Sequence, residues 1–151
     1  MKFLTYYLLL LTYLSASTLN LSMSSSPSRL NPILANDSAS SEISDWLFNG
    51  LFKYDKDGTP TVDLAKSYEF KTPTHLIIKL KEDVLWHDNV KFTSKDVIFT
   101  YEKIIDPKVF NSIKSNFQQV KSVKALDDYT IEVIYSQAYF KALETWMVGI
   151  L

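Results

Sequence analysis

The chain has no cysteine and a single arginine, Arg29, among its 151 residues. Without thiols there is no disulfide framework and no lipid-modified cysteine anchor. The 16 basic and 17 acidic side chains nearly balance, so no positive excess marks a nucleic-acid binder. One arginine also argues against phosphate recognition through guanidinium forks. The two histidines, His75 and His87, stand at opposite ends of a strand–turn unit and are not placed to share a metal ion. No GxSxG, HExxH, GxxxxGK or GxGxxG pattern occurs. The pairs Asp55/Asp57 and Asp127/Asp128 sit where turn chemistry calls for aspartate. What remains is a globular composition, 46% hydrophobic and 14% aromatic, suited to a large core or to a site with apolar walls.

Residues 1–17 read as a secretory signal peptide. Lys2 gives a short positive start, Phe3 to Leu14 is mostly apolar, and Ser15-Ala16-Ser17 offers small residues for cleavage. The run is too short to span a membrane. The alternative for these residues is a buried first strand or helix. Export without a cysteine anchor predicts a free periplasmic protein. Thr18 to Met23 alternates as a short strand would, and Ser24 to Pro32 is rich in turn residues. A helix follows, with Ser38 or Ser40 as cap and Ile43, Trp46, Leu47 and Leu51 on its apolar side.

The centre of the chain is LIIKLKEDVLWHDNVKFTSKDVIFTYEKII, residues 76–105. Leu76, Ile78 and Leu80 alternate with Ile77, Lys79 and Lys81, the period of a half-buried strand. His87-Asp88-Asn89 predicts a tight turn. Thr93 and Asp96 spell a capping box, with Phe92 and Val97 at the staple positions. Val97, Ile98, Tyr101, Ile104 and Ile105 share one helical face, against which Trp86 is expected to be largely buried. Pro107 ends the helix. Elsewhere, Asp57-Gly58 signals a hairpin, and Tyr68 to Phe70 can pair with 76–81. Val120–Ala125 and Tyr129–Tyr135 read as strands joined at Asp127-Asp128, and Tyr139–Val148 as a final amphipathic helix.

These segments resemble the family-5 extracytoplasmic solute-binding proteins, receptors of ABC importers for peptides and nickel. The resemblance rests on Leu30-Asn31-Pro32, Asn49-Gly50-Leu51, Tyr54-Asp55-Lys56-Asp57-Gly58, Pro60 to Phe70, and Trp86, Asp88, Phe92, Thr93, Asp96, Val97 and Tyr101. It departs at Asn31 (usually Asp), Tyr68 (Trp), Asn89 (Gly) and Ser94 (Ala). It implies an α/β protein, α+β in this segment, forming the N-terminal part of a type II periplasmic-binding-protein-like lobe with a mixed sheet and flanking helices. Residues 18–50 would be the first segment of lobe I and 51–151 its subdomain, cut before the second lobe. The implied function is capture of oligopeptides or other small solutes for an ABC permease complex in the inner membrane, with no cofactor, no nucleic acid and no catalysis. A chain so cut is expected not to bind on its own. The implied contacts are Asn36, Asp37 and Ser38 in the loop after Leu-Asn-Pro, and Phe110, Asn111 and Ser112 after the central helix. The alternatives are a secreted hydrolase fragment and a structural module without ligand.

Overall fold

The computed structural model describes residues 20–151. The signal-peptide reading of residues 1–17 lies outside the described residues, as do Thr18 and Leu19 of the expected first strand. Asn20 to Met23 form no strand, and Leu21 is exposed. This stretch joins neither sheet, and an unpaired strand has no ladder to hold it.

The first helix, α1 (Ser38–Leu47), is capped by Asp37 rather than by Ser38 or Ser40. It also buries a different face from the one expected. Ala39, Ser40 and Ser44 point inward, whereas Trp46 is 55% exposed and Leu47 is also exposed. The cause is the preceding loop. Ser40 Oγ accepts from the N–H groups of Ser28 and Arg29 at 2.9 and 3.1 Å and donates to Asp37 Oδ2 at 2.6 Å. Small polar side chains let that loop close on the helix with its donors satisfied. Leu51, just past the helix, is fully buried.

β1 (Phe52–Tyr54) and β2 (Pro60–Val62) form the expected hairpin. Gly58 has φ 76°, and Asp55 Oδ1 accepts from the N–H groups of Asp57 and Thr59 at 2.9 and 2.8 Å. The turn therefore uses a residue without Cβ and an aspartate that gathers its donors. β3 (Ala65–Thr72), β4 (His75–Leu80), β5 (Val120–Asp127) and β6 (Thr130–Tyr135) make a four-stranded sheet in the order β3-β4-β6-β5. Its pairings are all antiparallel, which corrects the expected mixed sheet. β6 turns back from β5 through a tight hairpin and inserts beside β4, so no parallel neighbour arises within this segment.

α2 (Ser94–Ile105) follows its sequence closely. Asn89 turns the chain at φ 67°, and the Thr93/Asp96 capping box is closed, with Thr93 N–H donating to Asp96 Oδ2 at 2.7 Å. Asp106 leaves the helical region before Pro107. Ser94 is buried. Its hydroxyl donates to the Asp127 carbonyl at 2.7 Å and its N–H to the Asp128 carbonyl at 2.8 Å, tying the start of α2 to the β5–β6 turn. Val97 and Ile104 share one core with Leu76, Ile78 and Leu80 of β4 and Ile131, Val133 and Tyr135 of β6. Each such side chain contributes roughly 1.5–3 kcal/mol of burial. Ile105 stays at the exposed rim. Trp86 is only half-buried, edge-on to Phe92 at 6.1 Å, and Phe92 takes the buried place expected for it.

Tyr139–Val148 is not an α-helix. It forms turns and a short 3-10 helix, Glu144–Met147. Two of its carbonyls are held by residues outside the segment. Tyr135 Oη donates to the Ala142 carbonyl at 2.8 Å, and Leu51 N–H donates to the Trp146 carbonyl at 2.8 Å. Trp146, 1% exposed, packs on Phe117 and Tyr101 at centroid distances of 5.4 and 6.2 Å.

Candidate functional site

The implied contact residues divide into two kinds. Asn36 and Ser38 are exposed, but Asp37 is spent on structure: its carboxylate accepts from Ser28 Oγ at 2.5 Å, Ser40 Oγ at 2.6 Å and Ser40 N–H at 2.8 Å. The hydroxyls of Ser28 and Ser40 hold its pKa down to about 2. In the second set Phe110 is 98% exposed and Ser112 is exposed. Asn111 clamps the end of α2, donating to the carbonyls of Ile104 and Val109 at 3.0 and 3.2 Å and accepting from Lys114 N–H at 2.8 Å.

None of these six residues lines a shared groove, but a sequence neighbour of each loop does. Ala35, beside Asn36, and Ile113, beside Ser112, line the same groove of about 260 Å³. Ser38, Ser41 and Asp45 lie at i, i+3 and i+7 on α1, so Ser38 heads the helical stripe whose next two members line that groove. The opposite side is the turn Ile113–Phe117 and the segment 144–149. Past Asn116, Glu144 and Thr145 the groove opens into a second recess walled by Tyr54 and Tyr139. Tyr54 bonds to the Glu144 carboxylate, which pushes the phenol pKa up.

One atom in this groove stands out. Ser44 is 2% exposed, lines the groove, and its Oγ has no hydrogen-bond partner in the protein. A buried hydroxyl left unpaired costs about 1–3 kcal/mol. Sequence reading did not single out Ser44, Asp45, Asn116 or Glu144. They come from three separate segments, and only Ser38's helical spacing to Asp45 hinted at any of them.

A second groove, of about 200 Å³, lies at the C-terminal end of α1 between Trp46 and Trp86. It is largely apolar and touches neither implied contact loop. Among the described residues no three His, Cys, Asp or Glu side chains gather as a metal site.

Comparison with known proteins identifies the family and the fold. The family model for bacterial extracellular solute-binding proteins, family 5 Middle, matches residues 59–148. The chain is 29% identical over 114 residues to the periplasmic oligopeptide-binding protein OppA of Escherichia coli K12, covering 64% of this chain and 21% of that protein. It is 30% identical over 114 residues to the oligopeptide-binding protein AppA of Bacillus subtilis, covering 75% and 21%. Among solved structures, NikZ of Campylobacter jejuni in complex with Ni(L-His) superposes with TM-score 0.73 at 34% identity, covering 82% of this chain and 25% of that one. AppA of Bacillus subtilis with a nonapeptide superposes with TM-score 0.75 at 26% identity, covering 83% and 26%. The chain thus spans about a fifth of the length of these two curated relatives. With the family model matching residues 59–148 and these superpositions covering most of the chain, it belongs to the family-5 bacterial extracellular solute-binding proteins.

Proposed function

We propose that this chain forms the ligand-facing part of lobe I of an exported solute-binding receptor, with residues 18–50 as its first segment and 51–151 as its subdomain. The groove between α1, the Ile113–Phe117 turn and segment 144–149 is one wall of the ligand cleft. Its ligand is a peptide or similarly small solute, delivered from the periplasm to an ABC permease in the inner membrane. The carrying observation is that Ala35 and Ile113, which adjoin the two implied contact loops, line one groove. The names of relatives support the solute class: they include oligopeptide-, dipeptide- and glutathione-binding proteins. Binding rather than turnover is the role, in keeping with relatives named for binding. An extended peptide laid along such a wall is held chiefly by backbone hydrogen bonds, with side chains in hydrated recesses.

The test is photo-crosslinking with a benzophenone-bearing blocked tripeptide, followed by peptide mapping. Crosslinks are expected in residues 35–38, 113–117 and 144–149. Crosslinks concentrated at Trp46 and Trp86 would move the site to the other groove and overturn this reading.

A further inference from the structure

The groove wall carries a specific charge pattern. Two carboxylates, Asp45 and Glu144, line it, and no lysine, arginine or histidine does. Neither carboxylate forms a salt bridge among the described residues. Lys141 belongs to the adjoining recess, and its ammonium lies over the Phe140 ring, 5.6 Å from the centroid. Asp45 stands in the last turn of α1, the end of a helix where a negative charge is unfavourable, and no basic residue is there to offset it. Ser44 adds an independent observation: a buried hydroxyl with no partner on the same wall. Two carboxylates without a basic partner, the one at Glu144 already meeting the Tyr54 hydroxyl, and the free Ser44 hydroxyl oxygen are acceptors suited to a donor that carries positive charge.

We propose that this groove receives a primary ammonium group of the solute, held between the Asp45 and Glu144 carboxylates with the Ser44 hydroxyl as a third acceptor. An ammonium group brings three donors, which matches three acceptors on one wall. The Tyr54 and Tyr139 recess next to it suits the aliphatic stem that bears the amine. The solute class is then a peptide or small molecule with a lysine-like side chain or a free amine. This inference rests on the groove being a ligand wall, and the test separates the two.

Amide NMR spectra of the isotope-labelled chain are recorded with n-butylammonium, n-butanol and butyrate, and separately with acetyl-trialanine amide, which has no charge. Butylammonium is expected to shift the Ser44, Asp45, Glu144 and Thr145 amides saturably, and butanol and butyrate not to. D45N combined with E144Q is expected to weaken butylammonium by about tenfold, the factor of one charge-assisted hydrogen bond. As a control, D45N alone is expected to fold at least as stably as the parent chain. Equal shifts from butanol, or an undiminished response in the double variant, would overturn the ammonium site. If the blocked peptide still shifts the groove in that case, the ligand-wall reading survives alone. If it leaves the groove unshifted while butylammonium binds, the ligand-wall reading falls and takes with it the assignment of this ammonium site to the solute.

Discussion

Trp146 donates its indole N–H to the hydroxyl of Tyr135 at 3.0 Å, and both rings are buried. Tyr135 in turn donates to the Ala142 carbonyl at 2.8 Å. Burial raises the Tyr135 pKa, so the phenol stays a donor at neutral pH. This relay fastens segment 142–146 to β6 and so holds Glu144 and Thr145 in the groove wall. Tyr135→Phe leaves a buried indole N–H and a carbonyl without their partner. It is expected to cost about 1–3 kcal/mol in urea unfolding. A silent Tyr135→Phe would mean the relay does not hold the segment.

The capping box of α2 gives a second prediction. Thr93→Ala is expected to cost about 1 kcal/mol, and Thr93→Ser almost nothing, because serine offers the same acceptor. Urea melts of the three proteins decide it, and equal stability for all three would contradict the cap.

Gly50 and Gly58 call for glycine for different reasons. A Cβ at Gly50 would lie 2.6 Å from the Met147 carbonyl oxygen, a backbone atom that cannot swing away. Gly50→Ala should therefore cost about 1–3 kcal/mol or more through forced displacement, and should shift the amides of residues 144–149. At Gly58 there is open space but φ is 76°, so Gly58→Ala should cost only about 1 kcal/mol of left-handed strain. Thermal melts that rank the two the other way would refute this division.

Asp37 predicts a pH dependence. Its folded pKa, about 2, lies below the value of an ordinary aspartate, chiefly because the Ser28 and Ser40 hydroxyls donate to it. A depressed carboxylate contributes stability that is fully present above the unfolded pKa and lost as pH falls through the folded one. The stability difference between the parent chain and Asp37→Ala should be constant above about pH 4 and should shrink as pH falls toward 2. A difference that stays constant down to pH 2 would show that the charge plays no part in the cap.

How far the chain could be read in advance depended on where each residue's partners lie in sequence. β4, the Asn89 turn, the Thr93 cap and both hairpins use neighbours a few residues away, and their pattern is visible in the chain. α1 misled because its inward face is chosen by Ser28 and Arg29, whose N–H groups are served by Ser40. An apolarity count puts Trp46 inside, whereas hydrogen-bond satisfaction puts Ser40 there. Tyr139–Val148 has a helical pattern, but Tyr135 and Leu51 claim its carbonyls from a distance. The loops at Asn36–Ser38 and Phe110–Ser112 came from family resemblance. The groove they flank came only from the fold, because Asp45, Asn116 and Glu144 are far apart along the chain.

The central claim is that this groove is one wall of a solute cleft. Amide NMR of the labelled chain titrated with acetyl-trialanine amide tests it most directly. One wall supplies only part of the hydrogen bonds of an enclosed ligand. Losing even three of them, at roughly 1 kcal/mol each, weakens binding more than a hundredfold. The account predicts shifts confined to residues 35–45, 113–117 and 144–149, with a dissociation constant on the order of a millimolar or weaker. Shifts centred on Trp46 and Trp86, no shift at the groove, or saturation at micromolar peptide would contradict it.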